Sequence, residues 1–125
     1  MTDPRHDIGL RAEDAVARWL ETAYGWRVMA RRWRTVHGEL DIVCLDGAGI
    51  LVGVEVRARR SPRAGTAEES VDAARVRRLR RTLAAYASAD GAPYRGLRID
   101  LVAVAPSPGH PARWLARRLP GVDAW

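Results

Sequence analysis

Three acidic residues stand in two apolar runs, where packing alone gives no reason for them. In GELDIVCL, residues 38–45, Glu39 and Asp41 precede a stretch of Ile, Val, Cys and Leu. In ILVGVEVRARR, residues 50–60, Glu55 interrupts a second apolar stretch and Arg57 follows two residues later. The link between the runs, DGAG at residues 46–49, is a turn candidate, so the two read as an antiparallel β-hairpin. Alternation along a strand places Glu39 and Asp41 on one face of the first strand, and Glu55 and Arg57 on one face of the second. Closing the hairpin sets Asp41 opposite Glu55. Two facing carboxylates repel unless a cation separates them. Hard divalent cations take one or two carboxylates and keep their other positions for water and phosphate oxygens. An Asp, a hairpin and then Glu-x-basic is therefore the pattern of a magnesium site for phosphodiester hydrolysis.

Other elements must hold this hairpin in place. After a lead-in at residues 1–7, residues 8–24 read as an amphipathic helix with Ala12, Ala15, Val16, Trp19 and Leu20 on one stripe and Gly25 placed to stop it. Glu13 lies on this helix. Residues 27–34 read as an edge or first strand. There Arg31, Arg32 and Arg34, interleaved with Trp33, fit either a solvated strand face or a phosphate track with a stacking platform. The stretch SPRAGT, residues 61–66, reads as a loop leading to a long helix that starts at Ala67 or Ser70 and ends at Ser88, with Glu68 and Glu69 near its N-terminus. Val76, Leu79, Leu83 and Tyr86 form the stripe that docks on the sheet. Arg75, Arg77, Arg78, Arg80 and Arg81 crowd the middle of the helix; with Arg59 and Arg60, the exposed members are candidates for contact with a phosphate backbone.

Residues 90–93 turn the chain into a near-continuous apolar strand, residues 97–104, suited to a central position in a sheet. Arg98 and Asp100 share one of its faces and read as a structural ion pair, with Asp100 a weaker site candidate. Residues 112–119 add a short strand or helix, and the closing GVDAW packs back. Three widely spaced histidines make no zinc pattern, and Cys44 in an apolar strand reads as core.

A chain of 125 residues with 47% hydrophobic composition is sized for one domain, and its net charge of +6 favours an acidic partner, with nucleic acid first and an anionic membrane surface second. One cysteine excludes an internal disulfide. With no apolar run of membrane-spanning length and no signal-peptide pattern at the N-terminus, a cytoplasmic protein without a membrane partner is expected.

Several motifs, in order, carry a family resemblance over nearly the whole chain: GLRAEDAVARWLETAYGWRVMARRWR, GELDIV, VEVRAR, ESVDAARVRRLRRTLAAY and RIDLVAV. They resemble the YraN family of uncharacterised bacterial proteins, which belongs to the restriction-endonuclease-like, PD-(D/E)XK fold class. The resemblance implies a nuclease or nuclease-like protein acting on DNA, branched or single-stranded DNA among the candidates, with Mg2+ or Mn2+ as cofactor. It implies Asp41, Glu55 and the Val56 carbonyl as metal ligands, with Arg57 stabilising charge on the reacting phosphate. Glu13, whose counterpart in similar proteins reaches toward the metal carboxylates, stands in the second rank with Glu39 and Arg75. The chain departs from the family where Arg57 and Arg75 replace the usual lysines, and it contains no lysine at all. A guanidinium stays charged and cannot take a proton from water as a lysine amine can.

The expected fold is an α/β domain in which helices cover a mixed sheet, in the order helix, strand, strand, strand, helix, strand. A non-catalytic nucleic-acid-binding protein, or a dimeric interaction protein suggested by five tryptophans, are the alternatives.

Overall fold

Gly25, at φ 69, takes the left-handed conformation that side chains resist, and there the first helix, α1 (Pro4–Tyr24), gives way to strand. The computed structural model describes residues 4–58 and 72–124, without the side chains of 4–8, 111 and 112. The helix begins at Pro4, so residues 4–7 are helical and not a lead-in; the fixed φ of proline suits a first helical turn. After α1 come β1 (Arg27–Thr35), β2 (Gly38–Leu45), β3 (Ile50–Ala58), α2 (Ala73–Asp90), β4 (Gly96–Ser107) and β5 (His110–Leu119), then a 3-10 turn at Val122–Ala124.

The five strands form one sheet in the order β1-β2-β3-β4-β5, antiparallel except for the parallel pair β3 and β4. Helix, three strands, helix, strand is the order expected, and the ambiguous stretch 112–119 is a fifth strand that begins at His110. β4 lies between β3 and β5, which is why it is apolar almost throughout. The cap of α2 is Asp72, whose carboxylate accepts from the Arg75 N–H at 2.8 Å. The helix therefore starts later than Ala67 or Ser70; Glu68, Glu69 and the loop 61–66 lie outside the described residues.

The helices cover opposite faces of the sheet. Ala12, Val16, Ala17 and Leu20 of α1 pack with Ile42, Cys44, Val52, Val54, Val102 and Val104. Val76, Leu79, Leu83 and Tyr86 of α2 pack with Leu40, Val43, Leu51, Ile99 and Leu101 on the other face, as the stripe predicts. Val122 of the closing GVDAW packs there too, whereas Trp125 lies outside the described residues. Each fully buried aliphatic side chain adds roughly 1.5–3 kcal/mol to this sandwich. Gly53 makes room beneath α2: a Cβ there would stand 3.1 Å from Ile99 Cδ1 and 3.2 Å from Leu40 Cδ2.

At the end of the sheet near the C-terminus of α1, Asp100 is fully buried and satisfied. It accepts from Arg98 Nε at 2.8 Å and from the Gly121 N–H at 2.9 Å, and Arg98 also reaches Asp46 at 3.2 Å. Arg118 lies 4.8 Å from the ring centroids of both Tyr24 and Trp26. The Arg98–Asp100 pair is structural, as its shared face suggests.

Candidate functional site

β2 and β3 pair from Ile42↔Val54 to Leu45↔Leu51, whereas β3 keeps its pairing with β4 along its whole length to Ala58. β2 thus parts from β3 at Asp41. Its carboxylate fills the gap, with Asp41 Oδ2 accepting a 2.8 Å hydrogen bond from the Val56 N–H in place of a ladder carbonyl. Side-chain alternation slips at the same level, because Leu40 packs on the α2 face and Ile42 on the α1 face. Across the sheet in β1 stands Arg32, at φ 50, between the paired residues Arg31↔Ile42 and Trp33↔Leu40. A left-handed conformation is unusual for arginine and marks the local distortion.

Asp41 and Glu55 meet across this gap as the hairpin reading expects. Burial, a hydrogen bond with Glu55 and the charges of Glu55 and Glu13 push the Asp41 carboxyl up to about 8, against the lowering effect of the Val56 N–H. Two carboxyl groups this close favour a proton or a cation between them over two bare charges. Glu55, with its side chain only 7% exposed, receives Arg75 on the same oxygen twice: Nε at 2.8 Å and Nη2 at 2.7 Å from Oε2. Arg57 Nη2 stands 3.9 Å from that oxygen, and the buried Nε of Arg57 has no hydrogen-bond partner among the described residues.

A cavity of about 260 Å³ opens beside this pair. Its acidic side is Glu39, Asp41 and Glu55, and its helical side is Arg75, Arg78, Leu79 and Thr82, with His37 and Gly38 at the β1–β2 turn. Positions 75, 78, 79 and 82 are spaced i, i+3, i+4 and i+7, one face of a helix, so the spacing itself links Thr82 and Arg78 to Arg75. Sequence reasoning passed over Thr82 and set His37 aside for want of a zinc pattern.

The two carboxylates suit a hard divalent cation that completes its shell with water and phosphate, whereas Arg57 lines a separate gap of about 10 Å³ with Arg75, Val76 and Leu79. Among the described residues no group of three or more His, Cys, Asp or Glu is placed to hold a metal. Glu13 is close enough to act on Asp41 through its charge, yet its carboxylate is bound to Arg32 Nε at 3.0 Å.

The arginines considered for a phosphate backbone differ in their pairing. Arg31 is paired with Asp14 at 2.8 Å, Arg32 with Glu13, Arg34 with Glu39, and Arg80 with Asp123 and the Leu97 carbonyl. The phosphate track expected along β1 is thus tied to carboxylates of the same chain. Arg77, Arg78 and Arg81 lie exposed on α2, and Arg59 and Arg60 fall outside the described residues. Trp26 is core, while Trp19, Trp33 and Trp114 are half-buried against the two cores. The large exposed hydrophobics among the described residues, Tyr24, Val36 and Leu115, stand apart on α1, the β1–β2 turn and β5. Among the described residues no helix is long and apolar enough to cross a membrane.

Residues 12–104 match the family model described as uncharacterised protein family UPF0102. Among similar proteins is a UPF0102 protein of Symbiobacterium thermophilum, 47% identical over 68 residues, which are 54% of this chain and 56% of that protein. A UPF0102 protein of Bordetella avium is 48% identical over 73 residues, 58% of this chain and 49% of that protein. One of Mycolicibacterium vanbaalenii is 36% identical over 75 residues, 60% of each chain. The chain spans about half the length of the curated relatives it matches.

Proposed function

We propose, from the premise that this chain belongs to the uncharacterised protein family UPF0102, that it is a magnesium- or manganese-dependent nuclease of restriction-endonuclease-like fold acting on DNA. The observation that carries the reading is the placement of Asp41, held by the Val56 N–H at 2.8 Å, and buried Glu55 on the wall of one cavity in the gap between β2 and β3, where two carboxylates side by side favour a cation. Asp41 and Glu55 would hold the ion, with the Val56 carbonyl as third protein ligand. A bound divalent cation supplies Lewis-acid stabilisation of a phosphate oxygen.

The chain's own residues do the rest. The Val56 N–H fixes the Asp41 carboxylate at one oxygen, and the Arg57 guanidinium, whose Nη2 stands 3.9 Å from Glu55, stabilises the charge that grows on a phosphoryl oxygen as the bond to the leaving oxygen breaks. Arg78 at the cavity wall meets the entering backbone. The chain has no lysine, and Arg57 and Arg75 stay charged, so these two residues act by charge stabilisation and positioning.

The test is cleavage of branched, single-stranded and duplex DNA with Mg2+ or Mn2+, beside Asp41→Ala. Cleavage by the wild type that Asp41→Ala lacks supports the reading, and metal-independent or Asp41-independent cleavage rules it out. One observation favours a second reading, a nucleic-acid-binding protein without catalysis: Arg75 already neutralises Glu55. Salt-sensitive DNA binding with no cleavage in any metal would select it.

A further inference from the structure

We infer that Arg75 is the placeholder for the cation, released from Glu55 when a divalent ion binds and passed to the phosphate of the nucleic acid. The inference rests on the metal-dependent reading and assigns Arg75 a specific part in it, that of a positioning residue coupling the two ligands.

The geometry supports an exchange. An arginine satisfying a carboxylate with both donors usually forks across its two oxygens. Arg75 instead brings Nε and Nη2 onto the single oxygen Oε2 of Glu55, at 2.8 and 2.7 Å. The positive charge is thereby concentrated on one buried oxygen of one of the two carboxylates proposed as ligands. A cation drawing on that oxygen must compete with the guanidinium, because both charges cannot approach it without repelling.

Arg75 is free to yield. Its backbone is secured by the Asp72 cap, while its side chain is 39% exposed and lines the cavity wall. One turn further along α2, Arg78 lines the same cavity and has no ionic partner among the described residues. A phosphodiester drawn to Arg78 therefore lies within the cavity whose wall Arg75 forms. It offers the guanidinium planar, bidentate recognition, the geometry arginine favours, while the carboxylate oxygens go to the hard cation. Metal and nucleic acid then help each other bind, and the coupling runs through Arg75 in both directions.

The test uses binding alone. Mn2+ is titrated by calorimetry into the full chain, Arg75→Ala and Arg75→Gln; the Gln variant keeps a donor for Glu55 without the charge and stands in if Arg75→Ala is poorly folded. Separately, the affinity for a short single-stranded DNA is measured with and without Ca2+. Both variants are expected to bind Mn2+ roughly tenfold more tightly than the wild type, within the usual range for coupled sites. Ca2+ is expected to raise DNA affinity in the wild type and to do so less in the variants. Variants that bind Mn2+ no more tightly than the wild type overturn the inference and leave the metal-dependent reading standing. An equal effect of Ca2+ on DNA affinity in all three overturns the handover to phosphate, because the ion alone then bridges protein and DNA. Absence of Mn2+ binding in all three overturns the inference and the metal-dependent reading together.

Discussion

Asp41 reaches across the gap between β2 and β3 to accept the Val56 N–H at 2.8 Å, so one carboxylate both closes a backbone bond and faces a second carboxylate. Asn keeps an acceptor for Val56 and gains a donor for Glu55. The raised Asp41 pKa means that the folded state holds a proton the unfolded chain releases near the ordinary value of 3.8. The contribution of this group is fully present below about pH 4 and is lost as pH rises toward 8. Without metal, Asp41→Asn is expected to match the wild type near pH 4 and to be more stable near pH 8, by an order of magnitude of a few kcal/mol. Urea melts across this range, in chelator, check it; destabilisation at pH 8 would mean that the Asp41 charge is paired and structural.

Divalent ions should narrow that difference. With Mn2+ at a hundredfold excess over its Kd, the wild type is expected to gain about 2.7 kcal/mol, and Asp41→Asn to gain little. Thermal melts with and without Mn2+ read the difference directly.

The pairing pattern of the arginines predicts which of them contact DNA. Each phosphate contact adds about 0.9 to the slope of log affinity against log salt for a duplex. Removing Arg77, Arg78 and Arg81 together, as Gln, is expected to flatten the slope by up to about 2.7. Replacing Arg31 and Arg34, which are bound to Asp14 and Glu39, should change it far less. A larger effect from the second set would place the nucleic acid on β1 instead of α2.

Arg57 should separate turnover from binding. Arg57→Lys is expected to retain or raise cleavage, since it restores the amine usual in similar proteins. Arg57→Ala is expected to lower the single-turnover rate more than DNA affinity. Unchanged turnover in Arg57→Ala would remove this residue from the chemistry.

Gly53 tests the packing beneath the site. Gly53→Ala places a methyl against Ile99 and Leu40, both almost fully buried, and the strain outweighs the entropy that alanine removes from the unfolded chain. A net loss of about 1 kcal/mol in urea unfolding is expected.

The acid pair was legible because a turn signal and a two-residue period together fix which positions face each other across a hairpin. The slip at Asp41 was not, because it accompanies a left-handed Arg32, and arginine in that conformation carries no mark in sequence as glycine does. The arginines were legible as a basic surface only. Arg31 and Arg32 find acids 17 and 19 residues away on α1, a distance over which local pattern says nothing. The start of α2 was within reach: Asp72 ahead of a helical stripe is a cap by its chemistry, though Glu68 and Glu69 drew the boundary earlier.

The order of the sheet bears on how the site assembles. Each strand lies beside its neighbour in sequence, and the first three are joined antiparallel by short turns, so the gap holding Asp41 and Glu55 needs only local closure. The parallel pairing of β3 with β4 spans the whole of α2 and carries the greater loop entropy. The acidic half of the cavity therefore belongs to a meander of local pairings and the arginine half to the longer crossover. A chain interrupted between the two would hold facing carboxylates without Arg75, and only Arg57 of β3 would remain beside Glu55.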